Sequence, residues 1–87
     1  MNKLGTILKE KREAAGLSQL DVSKSLGYTT PQFISNWERG ISTPPVKTIK
    51  KIEKIYRQQF AHEVYNAMVE DGVNKLKSKF KKSGYAI

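Results

Sequence analysis

Gln32, Ser35, Asn36 and Arg39 recur at helical spacing, and at roughly 100° per residue they share one side of a helix. Phe33, Ile34 and Trp37 fall on the other side. An amide carries a donor and an acceptor side by side, a hydroxyl can act as either, and a guanidinium is a planar fork of donors. The chemistry open to such a row is directional hydrogen bonding. Gln and Asn complement the edge of adenine with two bonds, Ser serves as donor or acceptor, and Arg grips guanine or phosphate. A face that only met water would carry Lys and Glu at its centre, and this one carries neither.

No other constellation offers comparable chemistry. His62 is the sole histidine, with no Cys, Asp or Glu at metal-ligand spacing. There is no nucleophile–base pattern and no glycine-rich phosphate loop. No catalytic residue, cofactor or metal is expected, and an enzyme is not.

Short helices must position the hydrogen-bonding row, because the first 56 residues show frequent punctuation and no period-2 alternation. Leu4, Ile7, Leu8 and Ala15 define a first helix that ends at Gly16. Ser18 with Asp21 predicts a capped second helix over residues 18–26, burying Leu20, Val22 and Leu26 before Gly27. Thr30 and Pro31 open a third over 31–39: a hydroxyl cap, then a proline where the missing N–H costs nothing. Gly40 closes it. From about Pro45 a fourth helix turns Val46, Ile49, Ile52, Ile55 and Tyr56 to one side and Lys47, Lys50, Lys51, Lys54 and Arg57 to the other. The rows Val64, Met68, Leu76, Phe80 and Tyr65, Val69, Val73 predict one long fifth helix to about Lys79, weakened at Gly72.

The 87 residues carry 16 Lys and Arg against 8 Asp and Glu, a formal charge of +8. That surplus suits a polyanion, without choosing among DNA, RNA and an anionic membrane. Residues 1–45 hold only +2 of it and residues 46–87 hold +6, so segments flanking the third helix must supply much of any attraction. The absence of cysteine excludes disulfides and thiolate metal sites and fits a reduced compartment. With no apolar run of membrane-spanning length and no signal-peptide core, a cytoplasmic protein is expected.

Helices 18–26 and 31–39 around a tight connection have the proportions of a helix-turn-helix, whose second helix enters the major groove of DNA. The run LSQLDVSKSLG, a short turn, PQFISNWERG and a following proline resemble the Cro/phage-repressor (XRE-like) helix-turn-helix of prokaryotic transcriptional regulators. The resemblance covers residues 4–57 and rests on Leu17, Gln19, Val22, Leu26, Gly27, Ile34, Ser35, Glu38, Gly40, Ile49 and Ile52 together. It implies an all-α, five-helix repressor-like fold, with residues 1–57 as the helix-turn-helix DNA-binding domain and 58–87 as an extended C-terminal helix and lysine-rich tail. It also implies base contacts by Gln32, Ser35 and Asn36, and phosphate contacts by Gln19, Arg39, Thr43 and Lys47. Glu38, on the inward flank of the third helix, is implied to form a buried ion pair with Arg12. Pro31 stands where some relatives read a base with glutamine, and Ser23 and Glu53 where alanine is commoner. Trp37 replaces a smaller aliphatic residue and is expected to pack. Tyr28 could touch phosphate or cover the core.

The expected function is sequence-specific binding of double-stranded DNA by a homodimeric regulator, a repressor acting by occlusion. The alternative is a protein-interaction module on the same fold, such as an antitoxin or a polymerase-binding adaptor. Residues 60–80 could fold back, dimerise or dock on a protein partner, with dimerisation favoured. The lysine-rich end could add nonspecific attraction to DNA.

Overall fold

The computed structural model describes residues 2–72 and 76–85. They form α1 (Lys3–Ala14), α2 (Gln19–Ser25), α3 (Gln32–Glu38), α4 (Val46–Tyr56), α5 (Ala61–Glu70) and α6 (Leu76–Lys82), with no strand among them.

Local signals set most of these boundaries. At the start of α2 both halves of the capping box form: the Asp21 N–H donates to Ser18 Oγ at 3.0 Å, and the Ser18 N–H donates to Asp21 Oδ2 at 2.9 Å. The bond from the Ser18 N–H, with the Ser18 side chain second, holds the Asp21 carboxyl below its ordinary range. The Gln32 N–H reaches Thr30 Oγ1 at 3.4 Å, at the opening of α3. Two other helix starts use partners from far along the chain. Asn2 Oδ1 accepts from the Gly5 N–H at 2.9 Å, while the Asp71 carboxylate accepts from Lys3 and Leu4 N–H at 3.4 and 3.2 Å. The Glu53 carboxylate accepts from Phe60 and Ala61 N–H at 2.8 and 3.0 Å, capping α5. These bonds satisfy donors that a helix start otherwise leaves open.

One core joins the helices. Leu8 of α1, Val22 of α2, Ile34 and Trp37 of α3, and Ile49 and Ile52 of α4 pack with Phe60, Val64 and Met68 and with Phe80 of α6. Each such side chain contributes roughly 1.5–3 kcal/mol by leaving water. Helix α5 lies against α1, where the ion pairs Lys3–Glu70 and Lys11–Glu63 sit at the exposed margin.

Three expectations need correction. The long fifth helix is two helices: α5 stops at Glu70, and Gly72 takes φ 85°, a left-handed geometry that would strain another residue. Val73 lies outside the described residues, as does the side chain of Leu76. Leu20 is 39% exposed because it lies two residues from Val22, about 200° away, so a single short helix cannot bury both. Phe33 is 51% exposed, since it sits about 90° from the centre of the Ile34–Trp37–Glu38 stripe.

Candidate nucleic-acid interface

Two contacts fix the angle at which α3 is presented. Ile34 and Trp37 anchor its inner stripe in the core. Its C-terminal end is held by Asn2, whose side-chain amide donates to the Glu38 carbonyl at 2.9 Å. Gly5 permits this approach of α1, because a Cβ there would overlap the Glu38 carbonyl oxygen and the Asn2 side chain.

Arg12 and Glu38 meet in the interior as a bidentate pair. Arg12 Nε donates to Glu38 Oε2 at 2.7 Å and Nη2 to Oε1 at 3.0 Å, with side-chain exposures of 10% and 3%. The third guanidinium nitrogen, Nη1, donates to the Leu17 carbonyl at 2.8 Å. The hydrogen bonds to Glu38 are the main reason the Arg12 guanidinium holds its proton even more tightly than usual. The one carboxylate of α3 is therefore neutralised inside the fold, and the outer face is left without negative charge.

That outer face is a hydrogen-bonded row. Gln32 is exposed, and Ser35 and Asn36 are half-buried. Asn36 Oδ1 accepts from Gln32 Nε2 at 2.8 Å and from Arg39 Nη2 at 3.3 Å. Both lone pairs of that oxygen are thus engaged, while the Asn36 amide N–H groups point no bond inward. To meet adenine with two bonds, Asn36 must exchange one of these acceptances for the base amino group, a replacement of like with like.

The remaining predicted residues flank the row. Arg39, Thr43 and Lys47 are all exposed. Arg39 and Thr43 line one shallow cleft beside Gly40 and Ser42, and Thr43 also lines the next groove with Lys47. Gln19, at the start of α2, donates through Nε2 to Glu38 Oε1 at 3.1 Å. One of its amide N–H bonds is committed to the interior pair, and the other has no partner among the described residues.

Sequence reasoning missed several positioning residues. Asn2 and Asp71 hold α1 against α3 and α5, and Glu53 holds α5, through partners far away in sequence that no local pattern reveals. Tyr28, open between two roles, packs on Phe33 with tilted rings whose centroids are 4.6 Å apart and meets Trp37 edge-on at 6.3 Å. Trp37 is buried at 4% exposure, a packing residue. Ser23 is fully buried, and its Oγ has no hydrogen-bond partner among the described residues, so the hydroxyl found where alanine is commoner is unpaired there.

Among the described residues no helix is long and apolar enough to cross a membrane. Neither the curated proteins nor the solved structures contain a match to this chain. The family model described as "Helix-turn-helix" matches residues 8–61, from the middle of α1 through the start of α5. With α2 and α3 docked as that motif requires and α3 turning an uncharged polar face outward, the chain belongs to the Cro/C1-type, XRE-like helix-turn-helix family of DNA-binding transcription regulators.

Proposed function

We propose that the protein is a sequence-specific regulator of transcription that binds double-stranded DNA as a homodimer and represses by covering promoter DNA. The observation that carries this reading is the Gln32–Asn36–Arg39 network on the outer side of α3, next to half-buried Ser35. These groups match base edges in type, and their mutual bonds hold them in place before DNA arrives. Arg39, Thr43 and Lys47 on one side and Gln19 on the other are assigned to phosphates, which set register without reading sequence.

A single seven-residue helix reads too few bases to select one site in a genome. Two copies on half-sites one turn apart, about 34 Å, solve this. A protomer of 30 × 26 × 22 Å can sit beside its copy at that spacing.

The test is selection of bound duplexes from a random pool, followed by titration of variants on the selected and on scrambled sequences. Asn36→Ala is expected to lose about 1–3 kcal/mol of discrimination at particular base pairs, while Lys47→Ala weakens both duplexes alike. Equal losses on the two duplexes for Asn36→Ala would remove its reading role, and a pool that never enriches would refute sequence-specific binding.

A further inference from the structure

We infer that Lys79 and Lys82 of α6, together with Lys47 at the start of α4, form a second phosphate clamp on the DNA backbone beside the half-site read by α3. The inference rests on the proposed DNA-binding function and extends it to the C-terminal segment.

The lysines of this segment nearly alternate in sequence and so spread around a helix, and only packing can decide which of them act together. Phe80 decides it. Its ring is fully buried, meeting Tyr65 edge-on at 5.2 Å and Tyr85 at 5.3 Å. Tyr85 O–H donates to Glu53 Oε1 at 2.9 Å, and Lys50 Nζ donates to the Ser83 carbonyl at 3.3 Å while lying 5.6 Å from the centre of the Tyr85 ring. These contacts hold α6 to α5 through Phe80 and tie the residues just after its end to α4, leaving it little freedom to rotate. With Phe80 turned inward, Lys79 and Lys82, three residues apart, come to the same flank.

That flank faces Lys47. The three lysines line one groove of about 600 Å³ whose apolar floor includes Pro44 and Met68. No carboxylate lines it, and none of the three belongs to an ion pair among the described residues. Three ammonium groups gathered around one groove repel one another until an anion separates them. Thr43 borders both this groove and the cleft containing Arg39, so the two adjoin between the end of α3 and α6; the one carboxylate of the Arg39 cleft, Asp71, is engaged by the Lys3 and Leu4 N–H groups. A duplex, with one negative charge per roughly 1.7 Å of axis, is the ligand whose charge is extended in the same way.

The experiment uses the full chain and a duplex obtained by selection, beside a scrambled duplex of the same length. Binding is titrated by fluorescence anisotropy between 50 and 200 mM salt for the wild type, Lys79→Gln/Lys82→Gln, and a control pair of equal charge change on the far part of α4, Lys51→Gln/Lys54→Gln. Each lost phosphate contact flattens the dependence of log K on log salt by about 0.9, so the α6 pair is expected to flatten it by about 1.8 on both duplexes. The control pair should produce a much smaller change, and circular dichroism should be the same for all three proteins. An α6 pair that behaves like the control, or whose loss is confined to the selected duplex, overturns the clamp. An unchanged salt slope accompanied by weaker self-association would give the groove to a second copy of the chain and also overturn it. Discrimination between the duplexes by the wild type is read separately: its absence refutes the sequence-specific function, whereas its presence with an unaltered slope refutes the clamp alone.

Discussion

Replacing Arg12 with methionine preserves most of the side chain's length and removes all of its charge. What remains is the Glu38 carboxylate, 3% exposed, with a single polar partner, the Gln19 amide at 3.1 Å. Breaking a buried pair in this way costs on the order of 3–5 kcal/mol, because the surviving charge stays desolvated. The Leu17 carbonyl also loses its donor. A domain of this size is held by roughly 0.05–0.15 kcal/mol per residue, so the loss takes a large share of total stability. In urea, with a slope of about 1.5 kcal/mol per molar, the unfolding midpoint should fall by roughly 2–3 M. The double variant Arg12→Met/Glu38→Leu removes both charges and is expected to recover to within about 1–2 kcal/mol of the wild type. Chemical denaturation followed by Trp37 fluorescence measures both. A single variant costing less than about 1 kcal/mol, or a double variant less stable than the single, would refute the account of this pair as a charge tolerated only because it is matched. The same experiment protects the DNA-binding assays, since a poorly folded Arg12 variant would imitate a lost contact.

Three other outcomes are expected. Ser23→Ala removes a buried hydroxyl that has no partner and should raise stability by about 1 kcal/mol in urea titrations; a loss of that size would mean that the hydroxyl is satisfied. Glu53→Ala uncaps α5 and releases Tyr85, and should cost about 1–2 kcal/mol while speeding hydrogen exchange at the Phe60 and Ala61 amides; unchanged exchange there would contradict the capping role. Burial, with the bond to Glu53 second, raises the Tyr85 hydroxyl above its ordinary value of 10.0, and burial does the same for Tyr56. Their stabilisation is therefore complete below pH 10 and lost as pH rises through the folded-state values, because the unfolded chain gives up its protons first. Tyr85→Phe should make alkaline destabilisation shallower, and an identical pH profile would show that Tyr85 does not contribute.

The legible and illegible parts of the fold divide by range. Helices α1 to α4 are marked by signals within a few residues: Ser18 with Asp21, Thr30 before Pro31, the glycines that follow, and an apolar stripe in α4 whose Val46, Ile49, Ile52 and Tyr56 are all buried. The Arg12–Glu38 contact spans 26 positions and was implied by the resemblance rather than by any local pattern. Glu53 and Asp71 were opaque because a carboxylate capping another helix resembles any surface acid until the chain has folded. Phe33 looks like part of the stripe because it adjoins a true core position, and only the width of the buried face excludes it, whereas Leu20 lies nearly opposite Val22 on a helix too short to bury both. The hydrogen-bonding row was visible as a set of residues, but its internal bonds, and the turning of Gln19 toward Glu38, depend on rotamers that spacing does not determine.

The Asp71 bonds to the first backbone amides of α1 mean that the end of α5 is stitched to the start of the first helix, while Phe60, Val64 and Met68 fill the shared core. Trimming the protein to the recognition motif, with a cut after Arg57, would open this seam, strip those side chains from the interior and leave the Lys3 and Leu4 amides without their carboxylate partner. The shortest piece able to hold DNA is therefore considerably longer than the stretch that reads it.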